Sequence, residues 1–291
     1  MAAPKTWLAI PAVAVACAGA AAALRQTPEV IVATAALGAA LAAVVRGFAG
    51  SSVAAAVAGA AAALLGIAAV LDGHAFELAR ASLAAAAAMF AIAELVRPMP
   101  PDESPLPSIG AALLAGVLDP SYVALVPITG WRFIRGPWTR PRGSIALPIV
   151  GVLACALAIG SAVAPSGMFA DLWATWSARE GTTMSPLGVL AAAGDILGPV
   201  TSVAALGGLG VSVMRGRYAA ASVTAVVAGS LAVDLATGTL GAALPSVAAL
   251  GAGMAIARLT GMVRWPTGQT FVAAATGFMM VVAPALAHWP L

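Results

Sequence analysis

Three carboxylic acids stand inside long apolar stretches of this chain: Asp119, Asp195 and Asp234. A charged side chain at the centre of a bilayer costs about 2.5–3.5 kcal/mol on insertion scales, so such a residue tends to be retained for a purpose. The chemistry open to an intramembrane carboxyl is the transfer of a proton or the binding of a cation. We therefore take these three acids as the first candidate substrate- or ion-binding residues.

The first acid stands directly before a proline. Asp119 followed by Pro120 is a favourable N-cap and first-turn pair, which predicts that the span 109–129 breaks and restarts there. About ten residues lie on each side, or about 15 Å of helix apiece. Pro284 occupies the corresponding place late in the chain, with Ala283 in place of the acid. Interrupted spans at matching positions of two halves indicate a transport site, while a plain N-cap at a kink is the structural alternative.

The second acid precedes another candidate break. Asp195 is followed by Gly198 and Pro199, then by Thr201 and Ser202. We expect this span to unwind at Pro199 and to offer carbonyl and hydroxyl oxygens to an ion. The structural alternative is a helix that starts after a short break, with Asp195 near the membrane surface.

The third acid has hydroxyl groups one turn further on. Thr237 and Thr239 follow Asp234 and are candidates for sharing a polar pocket with it. The run Asp-Leu-Ala-Thr-Gly-Thr resembles the Asp-x-x-Ser-Gly-Ala-Thr flavin-attachment motif of membrane redox-pump subunits, but Leu240 stands where that motif has its last threonine. We predict no cofactor, no metal and no catalytic residue, because metalloprotease, Walker and paired-cysteine motifs are missing from the sequence.

The composition is that of an integral membrane protein. The chain is 62% hydrophobic and 9% charged, with a mean hydropathy of +1.00, whereas about a quarter of an ordinary soluble domain is charged. Stretches of about 20 apolar residues recur from end to end, and their lengths favour helices. We predict an all-α polytopic membrane protein of about ten transmembrane helices. No basic stripe of the kind that binds nucleic acid is present.

An internal repeat organises these helices. The phrase SVAAAVAG at 52–59 returns as SVTAVVAG at 222–229, and arginine and proline landmarks recur around both copies in the same order. We predict a first five-helix repeat at 1–130, a basic cytoplasmic linker at 130–143 and a second repeat at 144–291. An insertion at 164–186 has the composition of an interfacial helix. An odd number of spans in each repeat would give the two repeats inverted topology.

The basic residues predict the orientation. If the linker is cytoplasmic, ten of the 14 Lys and Arg residues lie on its side of the membrane, which places both termini outside the cytoplasm. The expected location is the inner (plasma) membrane of a bacterium.

Three functions are compatible with this sequence. The first is a transporter or channel for a small solute, coupled to protons or a cation; its length and five-plus-five plan are similar to the drug/metabolite transporter superfamily, without that superfamily's local motifs. The second is a non-catalytic subunit of a larger membrane complex. The third is a membrane enzyme acting on lipid-linked substrates. The expected partners are the lipid bilayer, a small solute or proton, and membrane proteins or further copies of the chain.

Overall fold

The structure is a computed structural model that describes residues 9–23, 27–49, 75–96, 106–135, 185–214, 216–237 and 240–262, with residues 268, 271, 272 and 275. Every regular element in these ranges is helical, as the sequence predicts. The elements are α1 (Ala9–Ala23), α2 (Pro28–Ala49), α3 (Ala75–Val96), α4 (Leu106–Leu118), a 3-10 turn (Pro120–Tyr122), α5 (Leu125–Arg135), α6 (Pro186–Val213), α7 (Arg217–Thr237) and α8 (Ala243–Met262). The expected interfacial insertion at 164–186 lies almost wholly outside these ranges, as does most of the basic linker.

Two of the described helices are long and apolar enough to cross a membrane, at Leu78–Val96 and Arg217–Leu235. A third crossing is added if the two halves of α6, Pro186–Gly198 and Thr201–Gly210, count as one bent span. This finding is compatible with a membrane location for the chain.

The core of the first half is α3. Its residues from Ala84 to Ala93 are buried with the exception of Phe90, as expected of a helix that is apolar all round and packed on several sides. The alanines let α2 approach closely, which is how helices pack where lipid tails are as apolar as the side chains. On its other side, α2 meets α1: a Cβ at Gly38 would lie 2.6 Å from the Cys17 sulfur. Cys17 therefore packs as a small side chain between α1 and α2.

The corresponding pair in the second half is α6 with α8. Among the described helices, the α2–α3 and α6–α8 pairs make the most extensive contacts. The α6–α8 crossing is a contact between backbones, because a Cβ at Gly208 would overlap the Gly251 carbonyl oxygen and a Cβ at Gly251 would overlap that of Ala205. If the chain is the two-fold repeat that the sequence predicts, α2 would correspond to α6 and α3 to α8, and these two pairs would be equivalent.

The segment that contains Asp119 departs from the prediction. The sequence predicts one span over 109–129 with a break in its middle. In the structure the chain turns back on itself, because a Cβ at Gly116 would lie 3.1 Å from a Val123 side-chain carbon and 3.2 Å from its Cα. Seven residues of continuous helix would separate these positions by about 10 Å. α4 and α5 are thus two arms of a hairpin, defined here as residues 106–135, with its tip at 119–124.

The far end of this hairpin is anchored at the C-terminal end of α3 and the start of α7. The Arg132 guanidinium donates a 2.6 Å hydrogen bond to the Glu94 carbonyl oxygen. It also lies 5.4 Å from the centre of the Tyr218 ring, which Arg217 approaches to 5.2 Å. Cation–π contacts of this length contribute roughly 0.5–1 kcal/mol each where exposed.

Candidate functional site

Asp119 caps the 3-10 turn at the tip of the hairpin. Its backbone is extended, with φ −146° and ψ 116°, and its Oδ1 accepts a 2.9 Å hydrogen bond from the Ser121 N–H. Its own N–H donates to the Ala115 carbonyl oxygen at 2.8 Å, which closes the end of α4. Pro120 takes the first position of the turn, where the missing N–H has no cost. The predicted N-cap and helix break at Asp119 and Pro120 are therefore confirmed.

The Asp119 carboxyl has a basic neighbour on another helix. Arg80, near the start of α3, lies close enough for its positive charge to attract the carboxyl. The charge of Asp119 is therefore partly balanced inside the protein.

The hairpin tip also holds a buried phenol. Tyr122 is fully buried, and its hydroxyl makes no hydrogen bond of ordinary geometry to any residue that the structure describes. The Ser246 hydroxyl at the start of α8 lies close to it, and this hydroxyl donates its own proton to the Ala242 carbonyl oxygen at 2.8 Å. The Tyr122 hydroxyl thus lies beside Asp119 and Ser246 in a mostly apolar environment. A bound ligand or water could supply its hydrogen-bond partner.

The tip packs against the second half of the chain. A Cβ at Gly229 in α7 would overlap the Ser121 carbonyl oxygen and lie 3.7 Å from the Ala124 side chain. Gly229 is the final residue of the repeated phrase at 222–229. A glycine is required here because the α7 helix and the non-helical backbone of the tip approach closely.

A second break interrupts α6. Gly198 has φ 73° and ψ 162°, a conformation that only glycine adopts readily, and the helix axis bends by 114° between the halves on its two sides. The break falls one residue before Pro199, the residue at which the sequence predicts it. Beyond it, the Ser202 hydroxyl donates to the Gly198 carbonyl oxygen at 2.8 Å. The Thr201 hydroxyl is buried and has no hydrogen-bond partner in the described part of the chain.

Asp195 is not enclosed with these hydroxyls. Its side chain is exposed, one turn before the Gly198 break. The helix around it is regular, and the Ser185 hydroxyl accepts a 3.1 Å bond from the Gly188 N–H at the start of α6. The structure therefore places Asp195 on the exposed surface of α6, within the helical part that precedes the Gly198 break.

Asp234 holds a turn between two helices. It is 1% exposed, and its Oδ1 accepts a 2.8 Å hydrogen bond from the Gly241 N–H. This bond ties the last turn of α7 to the approach to α8. A Cβ at Gly241 would lie 2.7 Å from the same oxygen, so the turn requires glycine. Thr237 ends α7, and its side chain, with Thr239 and Pro284, lies outside the described residues.

A substitution pair separates a structural role of Asp234 from a titrating one. We expect Asp234→Asn to keep the thermal stability of the purified protein, because the amide oxygen still accepts from Gly241. Asp234→Leu leaves that N–H without its acceptor and is expected to cost about 1–3 kcal/mol. Thermal unfolding in detergent measures both variants. A large loss of stability in Asp234→Asn would show that the turn needs the charge as well as the acceptor.

The structure thus assigns the three acids to three different settings. Asp119 lies at the hairpin tip with Arg80, Asp234 holds the α7–α8 turn, and Asp195 is exposed. Sequence reasoning missed Tyr122 and Ser246 as part of the polar group around Asp119. The position of Tyr122, three residues after Asp119, could have predicted that it belongs to this polar group. Nothing in the sequence indicated Ser246, which comes close to the group only through tertiary packing.

The comparisons with known proteins add no relative. The chain matches no protein-family model, no curated protein and no solved structure. What can be inferred about function therefore depends on the geometry of the two helix breaks.

Proposed function

We propose that this chain is a multi-pass transporter or channel of the bacterial inner membrane for a small solute, coupled to protons or a cation. One observation carries the proposal: two apolar helical segments are broken at points where polar groups are buried. The first break holds Asp119 with the Tyr122 hydroxyl, and the second holds the Thr201 hydroxyl.

Such breaks are expensive in lipid. Non-helical backbone at membrane depth is tolerated only where it is buried in protein or lines a water-filled cavity. A buried hydroxyl that makes no hydrogen bond costs about 1–3 kcal/mol. A solute, ion or water bound at the breaks would supply the missing partners of Thr201 and Tyr122. Discontinuous helices of this kind form the binding sites of many secondary transporters.

The surface supports a membrane location. Large apolar side chains are exposed along several helices, among them Leu187 at 78% and Leu206 at 73% on α6. Water-soluble monomers rarely expose apolar side chains over large contiguous areas. The matching α2–α3 and α6–α8 pairs support the two-repeat plan. Inverted topology requires residues 106–135 to cross the bilayer.

The residues divide into site and support. Asp119 would bind the proton or cation, and the positive charge of Arg80 would favour the ionised form of its carboxyl. Thr201 and Ser202 would offer hydroxyl oxygens at the second break. Asp234 would hold the α7–α8 turn. Asp195, being exposed on α6, is not included in the proposed site.

The test is flux in vesicles that contain the purified protein. We expect imposed gradients of potassium, sodium or small organic cations to move protons, reported by a pH dye trapped inside, faster than in protein-free vesicles. Asp119→Asn should reduce the rate at least tenfold. Asp195→Asn is the matched control, since it removes an acid of the same type from an exposed position.

Two results would contradict the proposal. One is wild-type flux equal to that of empty vesicles for every cation; the other is an equal effect of Asp119→Asn and Asp195→Asn. The native mass of the purified protein is measured first, because stoichiometric extra chains would favour the subunit of a larger membrane complex instead.

A further inference from the structure

We propose that residues 106–135 form a re-entrant hairpin: both of its ends lie at one membrane surface and its tip ends inside the bilayer. The inference rests on the membrane location in the proposed function and deepens it, because it fixes how Asp119 is approached. The arms α4 and α5 have 13 and 11 residues. At the helical rise they are about 18 and 15 Å long, so neither crosses a hydrocarbon core of about 30 Å.

The neighbouring helix α3 shows that the arms do not add up to one span. At the tip, Asp119 lies within reach of the charge of Arg80. Thirteen residues later, Arg132 donates to the Glu94 carbonyl oxygen. Arg80 and Glu94 are separated by about 21 Å along α3, so α5 runs back along the helix that α4 follows.

The helix α7 gives the same result independently. Ser121 packs against Gly229, and Arg132 packs over the Tyr218 ring. Both pairs of positions are eleven residues apart, or about 16 Å of helix. Because the numbering rises along α5 and falls along α7, the two helices run antiparallel, and the end of the hairpin lies beside the start of α7.

The distribution of basic residues fits the hairpin better than a crossing. If residues 106–135 do not cross, the ten predicted crossings become nine. All but three of the 14 Lys and Arg residues then fall on the side of the membrane that holds the linker 130–143. The three exceptions are Arg25, Arg80 and Arg179. A single crossing by 109–129 leaves four exceptions. The positive-inside rule then places the N-terminus in the cytoplasm, on the linker side. An even number of crossings before the linker also removes the argument for inverted repeats.

The hairpin places Asp119 deep in the bilayer, at unequal distances from the two membrane surfaces. The tip lies about 18 Å from the surface at which the hairpin enters, beyond the midplane of a core of about 30 Å. The shorter approach to the carboxyl runs from the opposite surface, past Arg80 at the start of α3. A proton or cation from that side meets the Arg80 charge first.

Sided labelling of single cysteines tests the hairpin. Cys17 and Cys155 are replaced by alanine, and Ser104→Cys or Thr139→Cys places one thiol before or after the hairpin in sequence. A membrane-impermeant maleimide is added to spheroplasts or to inverted vesicles. We expect both thiols to react in the inverted vesicles and to be protected in spheroplasts. Reaction of the two thiols from opposite sides would overturn the hairpin.

A control pair keeps this result separate from the proposed function. His74→Cys and Met99→Cys flank α3, which is a candidate span, and are expected to react from opposite sides. If both react from one side, α3 does not cross and the membrane function fails with it. Opposite labelling of the α3 pair combined with opposite labelling of the hairpin pair overturns the hairpin alone. Glu103→Cys and Ser144→Cys repeat the hairpin test if a first variant does not fold.

Discussion

Gly208→Ala should be among the most damaging single-methyl changes in the described part of the protein. The new Cβ would overlap the Gly251 carbonyl oxygen and approach the Ala255 nitrogen to 3.0 Å, and backbone atoms cannot rotate away as a side chain can. Overpacking a well-packed core costs about 1–3 kcal/mol and sometimes more; a backbone clash lies at the upper end. We expect Tm in detergent to fall by roughly 6–12 °C.

The same helix supplies the control. Gly207 and Gly210 have no atom within 4 Å of an added Cβ. Alanine there should leave Tm unchanged or raise it slightly, because glycine inside a helix is destabilising by roughly 0.5–1 kcal/mol relative to alanine. Thermal unfolding followed by tryptophan fluorescence measures all three variants. Equal effects at Gly207 and Gly208 would show that α6 and α8 do not cross at these backbones.

Asp119→Ala should destabilise the hairpin tip by about 2–4 kcal/mol. Loss of the N-cap to Ser121 accounts for about 1 kcal/mol. The remainder comes from losing the attraction between the negative charge and Arg80, which is stronger in a half-buried site than in water. Asp119→Asn keeps an oxygen for Ser121 and loses only the charge, so its effect should be smaller.

A double-mutant cycle isolates the charge interaction. Asp119→Asn, Arg80→Gln and the double variant are compared by thermal unfolding. Two groups whose charges attract should show a coupling energy of about 0.5–3 kcal/mol, with the double variant more stable than the sum of the single effects implies. Strict additivity would mean that Arg80 and Asp119 do not interact. Asp195→Asn combined with Arg80→Gln is the additive control.

The local chemistry of the two breaks could be predicted, but the direction of the chain after them could not. The Asp119-Pro120 pair is a cap whatever surrounds it, because the carboxyl and the Ser121 N–H belong to the same turn. The fold-back of α5 depends on Gly116 meeting Val123 and on Arg132 meeting Glu94, 38 residues away. No spacing in the sequence encodes those tertiary contacts, so one span was predicted where a hairpin forms.

The same limit applies to the candidate site. A break at Pro199 could be predicted because a proline inside a helix removes a backbone hydrogen bond, and the structure places the non-helical residue at the preceding Gly198. Whether a neighbouring acid faces the break or the surface depends on the packing of α6, and Asp195 faces the surface. Asp234 was predictable as a buried acid, but its hydrogen bond to Gly241 arises from the path of the α7–α8 turn.

The backbone contact between α6 and α8 has a mechanical consequence. Helices separated by long side chains can slide past each other while those side chains change rotamer. At Gly208 and Gly251 the backbones of the two helices are in direct contact, so a displacement of one helix is expected to carry the other with it. The half of α6 beyond the Gly198 break and α8 would therefore move together as one rigid unit. Gly198 would be the hinge, or pivot, of that unit. A change of angle at that pivot would move the start of α8, where Ser246 lies beside Tyr122, and would thereby reach the hairpin tip through α8.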